Sequence, residues 1–403
     1  DLIGLSCIEV TFPLGMRLLD AVRHTGIPTV VGGPYATFAP EIVIRRENVD
    51  MVCVGEGEAA LVELCQRLAS DGDVLAIPNL WVKRDGRILR NPVRAAIDLD
   101  TLPEQDWELY DKRRFWKPMG GKISVTGTFE MNRGCPYSCT FCINSGFDAL
   151  YGGKGGYYRE KNVERLIAEM VAKKERYALS YVYLVAESFL TTSIKRIERF
   201  GRLYRDQVGL PFWVEVRPES VTREKAAILK EIGCEGISVG VESGNLWLRQ
   251  NVLGRNIADK TIIRAFDLLR ETGIRVNANN MIGFPRETRE MIFDTIELNR
   301  TLRPNGVMVS YFSPYKGCTL REICETEGYL ADDEIAGDYR LGPSMDMPQL
   351  RARDLIGLHR AFPLYVKFPR EEWDDIRRGE ADTPEGNRIF AEYAERYVRE
   401  FMR

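Results

Sequence analysis

The chain has 403 residues, enough for two or three domains with sizeable cores. Its 56 Lys plus Arg against 59 Asp plus Glu give a net charge of -3, which leaves no electrostatic footprint for nucleic acid or an anionic membrane. No apolar run reaches the roughly 18 residues of a membrane span. Nine cysteines are too few for a disulfide scaffold and point to a reducing, cytoplasmic setting, and with only His24 and His359 a multi-histidine zinc site is excluded.

The first ninety or so residues alternate strand and helix. LIGLSCI (2–8), PTVVGG (28–33) and DMVCVGEGE (50–58) read as strands, with a helix over 14–25. The helix after the third strand carries Leu61, Leu64, Cys65 and Leu68 on one face, and Asp85-Gly86 marks a hairpin. Apolar strands separated by helices predict a parallel sheet covered on both faces. Three strands are fewer than a doubly wound domain usually has, so residues 1–93 read as the later part of a Rossmann-like domain whose first βα units are missing.

A linker rich in Pro, Asp and aromatics spans 94–120. A second βα series follows over 121–325, with strands near 123–131, 180–186, 212–217, 236–241, 275–282 and 306–311. Helices fill the gaps at 161–176, 193–207, 222–232, 257–272 and 287–303. This pattern predicts an open (β/α)6 partial TIM barrel. Residues 326–403 are charged, aromatic and helical, and with Tyr339, Tyr365 and Trp373 they are expected to cap the barrel mouth.

Directly after the first barrel strand stands RGCPYSCTFCIN (133–144), with Cys135, Cys139 and Cys142 in C-x3-C-x2-C spacing. Chemistry in parallel α/β folds collects at the C-terminal ends of the strands. An iron–sulfur cube normally takes four cysteines, so three leave one iron open to an exogenous ligand. The alternatives are a zinc completed by a distant cysteine, or a chance grouping.

The segment CPYSCTFC resembles the C-x3-C-x-aromatic-C signature of radical S-adenosylmethionine (radical SAM) enzymes. The resemblance implies a [4Fe–4S] cluster on Cys135, Cys139 and Cys142, S-adenosylmethionine chelated at the open iron, and Phe141 beside the adenine. It implies one-electron cleavage of the sulfonium to a 5'-deoxyadenosyl radical. Later strand ends match as well. Glu187 in VAESF would take the amino group. Glu215 and Arg217 in WVEVRPES close the third strand, with Arg217 facing the carboxylate. Glu242 and Ser243 in ISVGVESGN would reach the ribose. In NANNMIGFPRET, Asn277 and Asn279 share one strand face and reach toward the nucleoside, while Gly283 and Pro285 shape a turn. YFSPYKGCTL (311–320) resembles the sixth strand end.

In the first domain, Ser6-Cys7-Ile8, Gly32-Gly33-Pro34 and Gly55-Glu56-Gly57 at successive strand ends resemble the S-x-L, G-G and GEGE segments of cobalamin-binding domains. Together the motifs resemble radical SAM enzymes that carry a cobalamin-binding domain. The family most often transfers a methyl group from methylcobalamin to an unactivated carbon. Similar proteins also cyclise, contract rings or hydroxylate, as the anaerobic cyclase of chlorophyll synthesis does. The reading from another class is a non-catalytic iron–sulfur or cobalamin carrier or sensor. The implied partners are a small-molecule or peptide substrate and a flavodoxin- or ferredoxin-type electron donor. Of the other cysteines, Cys7, Cys53, Cys65 and Cys234 read as core, and Cys318 stands near the sixth strand end.

Overall fold

The computed structural model describes residues 1–402, and the chain divides into two compact units. The first comprises Asp1–Asp98, Tyr137–Tyr157 and Ser313–Ser344. Its sheet runs β1 (Ile3–Ser6), β2 (Thr29–Gly32), β3 (Met51–Cys53), β4 (Leu80–Arg84) and β5 (Arg87–Arg90), in that spatial order. β1 to β3 are parallel, and β4 and β5 add antiparallel. Successive strand residues point to opposite faces. Val31 and Val52 therefore join Phe12, Tyr35 and Val43 on one side, while Val30, Met51 and Cys53 meet Leu64 and Leu80 on the other. Asp85 and Gly86 both take positive φ, 50° and 72°, as a tight hairpin turn requires.

The helix Glu58–Ala69 departs from its expected face. It buries Ala60 and Leu64, and leaves Leu61 and Cys65 exposed. Cys65 is therefore not a core residue. Cys7, Cys53 and Cys234 are buried.

The expected boundaries at 93, 120 and 325 do not coincide with the compact units, because Tyr137–Tyr157 and Ser313–Ser344 fold with the first sheet. A buried charge network shows why. Glu9, 4% exposed, accepts from the Lys316 and Ala336 amides at 2.8 Å each and pairs with Arg321 at 3.4 Å. A buried carboxylate needs such partners.

The second unit is an open half-barrel. Its strands are β6 (Trp116–Met119), β7 (Lys122–Glu130), the two-residue β8 (Asn132–Arg133) and β9 (Arg159–Glu160), β10 (Tyr181–Val185), β11 (Phe212–Val216), β12 (Cys234–Glu242), β13 (Arg275–Ile282) and β14 (Gly306–Tyr311). The main sheet has the order β14-β13-β12-β11-β10-β7-β6, parallel throughout except for β6. Outward residues such as Leu184, Val214, Val239 and Ala278 form the core with the crossover helices. Those helices start at side-chain caps, for example Asn162, Ser193, Thr222 and Thr288.

The C-terminal segment is helical, as expected, but its aromatics sit elsewhere. Tyr365 and Trp373 pack on Phe293 in the outer helix Arg289–Leu302, and Tyr339 belongs to the first unit. The helix Ala352–Lys367 lies against β14, where His359 stacks on Tyr311 and reaches the Val309 carbonyl at 3.1 Å.

Candidate cofactor site

Parallel register sets the inner face of the half-barrel in layers. Tyr183, Trp213, Gly236 and Arg275 form one row, and Glu215, Ser238, Asn277 and Gly306 form the next. Trp213 lies flat over Gly236, where any Cβ would collide with the indole, and donates from Nε1 to Ser238 Oγ at 2.9 Å. Tyr183 donates to Glu215 Oε1 at 2.8 Å. Burial pushes the Tyr183 phenol up, and the Glu215 charge adds to it. This aromatic floor closes one end of the barrel interior.

Above the floor the face is polar. Asn277 and Asn279 alternate with the buried Val276 and Ala278, and the Oδ1 atoms of both asparagines are buried without a hydrogen-bond partner. Such orphaned acceptors are rare in folded chains and point to a missing donor. Gly306 on the neighbouring strand keeps the space open, since a Cβ there would stand 2.5 Å from Asn277 Oδ1.

Glu242 ends β12 at a register shift and takes φ 64°. A bulge of this kind re-aims a side chain. Its Oε1 lies 3.0 Å from Arg255 Nη1, and Arg255 Nη2 donates to the Gly240 carbonyl at 2.8 Å. Burial raises the Glu242 pKa, opposed by Arg255 and then by Arg217. Two of the expected site residues have partners within the protein. Arg217 is held by Glu219, with Nη2 2.6 Å from its carboxylate, because the turn after β11 brings the two side chains together. Ser243 is fully buried, accepting from the Asn245 amide at 3.2 Å and lying 3.5 Å from Thr295 Oγ1, so its hydroxyl is turned into helix packing. Glu187 follows β10 and is exposed, as is Glu215.

The turn after β13 contains a residue the sequence did not single out. Gly283 has φ 89° and Pro285 is buried. Glu287, fully buried, accepts from the Gly283 and Phe284 amides at 2.5 and 3.1 Å through Oε2, while Oε1 has no partner. Burial pushes its pKa up to about 8. Trp213, Arg255 and Glu9 were also missed. Only strand register or long-range pairing reveals them.

In the cysteine loop, Cys135 and Cys139 are buried and Cys142 and Phe141 half-buried. The Cys142 amide donates to the Cys139 carbonyl at 3.1 Å, and Asn144 Nδ2 lies 3.6 Å from Cys142 Sγ. Among the described residues no three Cys, His, Asp or Glu side chains already stand together as a metal-ligand group. The donor chemistry of three thiols in one loop still fits a cluster. Cys318 is buried in the first unit, and burial pushes its thiol up to about 12.

In the first unit, Ser6 sits beside Gly32 in register, and the Cys7 amide donates to the Gly32 carbonyl at 3.1 Å. Gly33 has φ 92°, and a Cβ there would stand 2.5 Å from the Cys7 carbonyl oxygen and 3.0 Å from Ser6 Oγ. Ser6 and Ile8 are exposed at the strand end, and Pro34 opens the helix Pro34–Phe38. Gly55, with φ 83°, donates its amide to Thr37 Oγ1 at 3.0 Å. Glu56 is tied by the Ile97 amide at 2.8 Å, and Gly57 caps the next helix. The three strand-end segments thus form one small-residue rim, which suits a flat ligand tail.

Two family models match the chain. Residues 129–298 match the radical SAM superfamily and residues 1–65 the B12 binding domain. An uncharacterized methyltransferase, PH0819, of Pyrococcus horikoshii is 28% identical over 84% of this chain and 72% of its own length. The anaerobic magnesium-protoporphyrin IX monomethyl ester cyclase of Rubrivivax gelatinosus is 22% identical over 78% of this chain, which spans 57% of that protein. The cobalamin-dependent S-adenosylmethionine radical enzyme OxsB has a similar fold, with TM-score 0.68 and 15% identity over 99% of this chain and 63% of OxsB. The open half-barrel is thus a fold that OxsB shares. The chain thus carries a radical SAM match over residues 129–298 and a B12 binding domain match over residues 1–65. Its cofactors are accordingly a [4Fe–4S] cluster, S-adenosylmethionine and cobalamin. Among the described residues no helix is long and apolar enough to cross a membrane.

Proposed function

We propose that the chain is a cobalamin-dependent radical SAM methyltransferase acting on an unactivated carbon of a small molecule or peptide. The observation that carries this reading is the polar inner face of the barrel, where Asn277 and Asn279 hold two orphaned acceptors, in a chain with a three-cysteine loop after β7 and a B12 binding domain. The name of the Pyrococcus relative supports methyl transfer.

In this reading the three cofactors supply electron transfer, radical generation and a methyl group, and the protein supplies binding and orientation. Cys135, Cys139 and Cys142 ligate the cluster, with Phe141 beside the adenine. Asn277 and Asn279 accept from the nucleoside, and the turn at Gly283 and Pro285 bounds it. Glu187 takes the amino group, Glu242 the ribose, and Arg217 with Glu215 the carboxylate side, Arg217 exchanging Glu219 for the ligand. Ser243 supports Glu242 from behind. Ser6, Cys7, Ile8, Gly32, Gly33, Pro34, Gly55, Glu56 and Gly57 rim the cobalamin tail. Residues 1–93 and 121–325 remain the proposed functional domains, joined by 94–120 and followed by 326–403. A flavodoxin- or ferredoxin-type donor in the cytoplasm reduces the cluster.

The cyclase likeness favours a second reading, radical oxidative cyclisation. Trapping the product from a candidate substrate with CD3-labelled S-adenosylmethionine separates the two. Mass gain of a labelled methyl supports transfer, and a product with no label refutes it.

A further inference from the structure

The helix Asn144–Tyr151, directly after the cysteine loop, folds into the first unit. A continuous aromatic ladder anchors it. Phe38 meets Phe147 edge-on at 4.9 Å, Phe147 stacks on Tyr157 at 4.6 Å, and Tyr157 stacks on Tyr151 at 5.2 Å. Tyr151 is 1% exposed, and its hydroxyl accepts from the Glu56 amide at 2.8 Å. The same hydroxyl fills the space beside Gly55, whose positive φ and missing Cβ permit that approach. Phe38 itself closes the helix that starts just after Gly33. One ring ladder therefore touches the Gly55-Glu56 strand end, reaches the helix that follows Gly33, and includes the helix that Cys142 leads into.

We infer that Tyr151 is a positioning residue that fixes the Gly55-Glu56 loop against cobalamin and couples that loop to the cluster-bearing segment. The inference rests on the proposal that Gly55, Glu56 and Gly57 rim the cobalamin site. Without the hydroxyl, the half-buried Glu56 amide loses this hydrogen bond, which favours another loop conformation. The ring ladder alone would keep the helix in place. Hydroxyl and ring thus have separable effects.

The test uses the full chain, reconstituted without oxygen with iron, sulfide and aquacobalamin. Tyr151→Phe should keep wild-type iron content and lower Tm by only a few degrees. Its cobalamin affinity should fall roughly tenfold, as loss of one buried hydrogen bond implies. Bound cobalamin should also slow iron release to a chelator in the wild type, and Tyr151→Phe should lose that protection at saturating cobalamin. Phe147→Leu keeps the hydroxyl but removes the bracing ring, and should weaken cobalamin in the same direction. Unchanged affinity and unchanged protection in both variants overturn the inference while leaving the cobalamin reading intact. A wild-type chain that binds no cobalamin overturns both.

Discussion

Replacing Glu287 by Gln is a near-isosteric change with a calculable signature. The carboxyl is fully buried, faces two backbone amides and no charged partner, and has its pKa pushed by burial from 4.5 up to about 8. The folded chain therefore keeps a proton between pH 4.5 and about 8 that the unfolded chain has lost. That contribution to stability is complete below pH 4.5, falls by about 1.4 kcal/mol per pH unit across the window, and is flat above it. Over the whole window the loss is of order 5 kcal/mol. Gln ionises in neither state and still offers an oxygen to the Gly283 and Phe284 amides. Urea unfolding of the cofactor-free chain, followed by circular dichroism from about pH 5.5 to about pH 8.5, should show wild type losing stability relative to Glu287→Gln as pH rises. Glu287→Ala, which orphans both amides, should destabilise at every pH by about 1–3 kcal/mol per amide. Parallel pH curves for wild type and Glu287→Gln would refute a neutral Glu287.

Arg255→Ala leaves the half-buried Glu242 with Arg217 as its remaining cation and should cost about 3 kcal/mol in unfolding free energy, whereas Arg255→Ala with Glu242→Gln should recover part of it. Gly33→Ala places a Cβ 2.5 Å from the Cys7 carbonyl oxygen at φ 92°, so both thermal stability and cobalamin content should fall. Asn279→Ala should weaken S-adenosylmethionine roughly tenfold by equilibrium dialysis with iron content unchanged, and an unaltered dissociation constant would remove Asn279 from the nucleoside site.

The sheet was legible where burial on both faces demanded it. Thr29–Gly32 and Ile237–Val241 are apolar runs because residues on both sides of those strands are covered. The cysteine loop was legible because ligand spacing is local. Pairing across the chain was not. Glu9 and Arg321 stand 312 residues apart, and their buried pairing carries Ser313–Ser344 into the first unit. The turn at Pro218–Ser220 brings Glu219 onto Arg217, a pairing that strand-end spacing does not announce. The register shift at Glu242 is followed by a Ser243 hydroxyl that lies near Thr295, which the sequence motif alone does not show. Cys65 matches an apolar face by periodicity, yet Ala60, Leu64 and the partly buried Leu68 pack on the sheet while Cys65 stays exposed. The paired Trp213 and Gly236 needed the β11–β12 register, which no spacing within either strand encodes.

The central claim is that this chain uses a cysteine-held cluster to cleave S-adenosylmethionine and also binds cobalamin. The direct measurement is 5'-deoxyadenosine formation by the full chain, loaded without oxygen with iron, sulfide and cobalamin and then reduced. Formation by wild type, and none by the Cys135→Ala, Cys139→Ala, Cys142→Ala triple variant, is the predicted result. A fully loaded, reduced wild-type protein that leaves S-adenosylmethionine intact would contradict it.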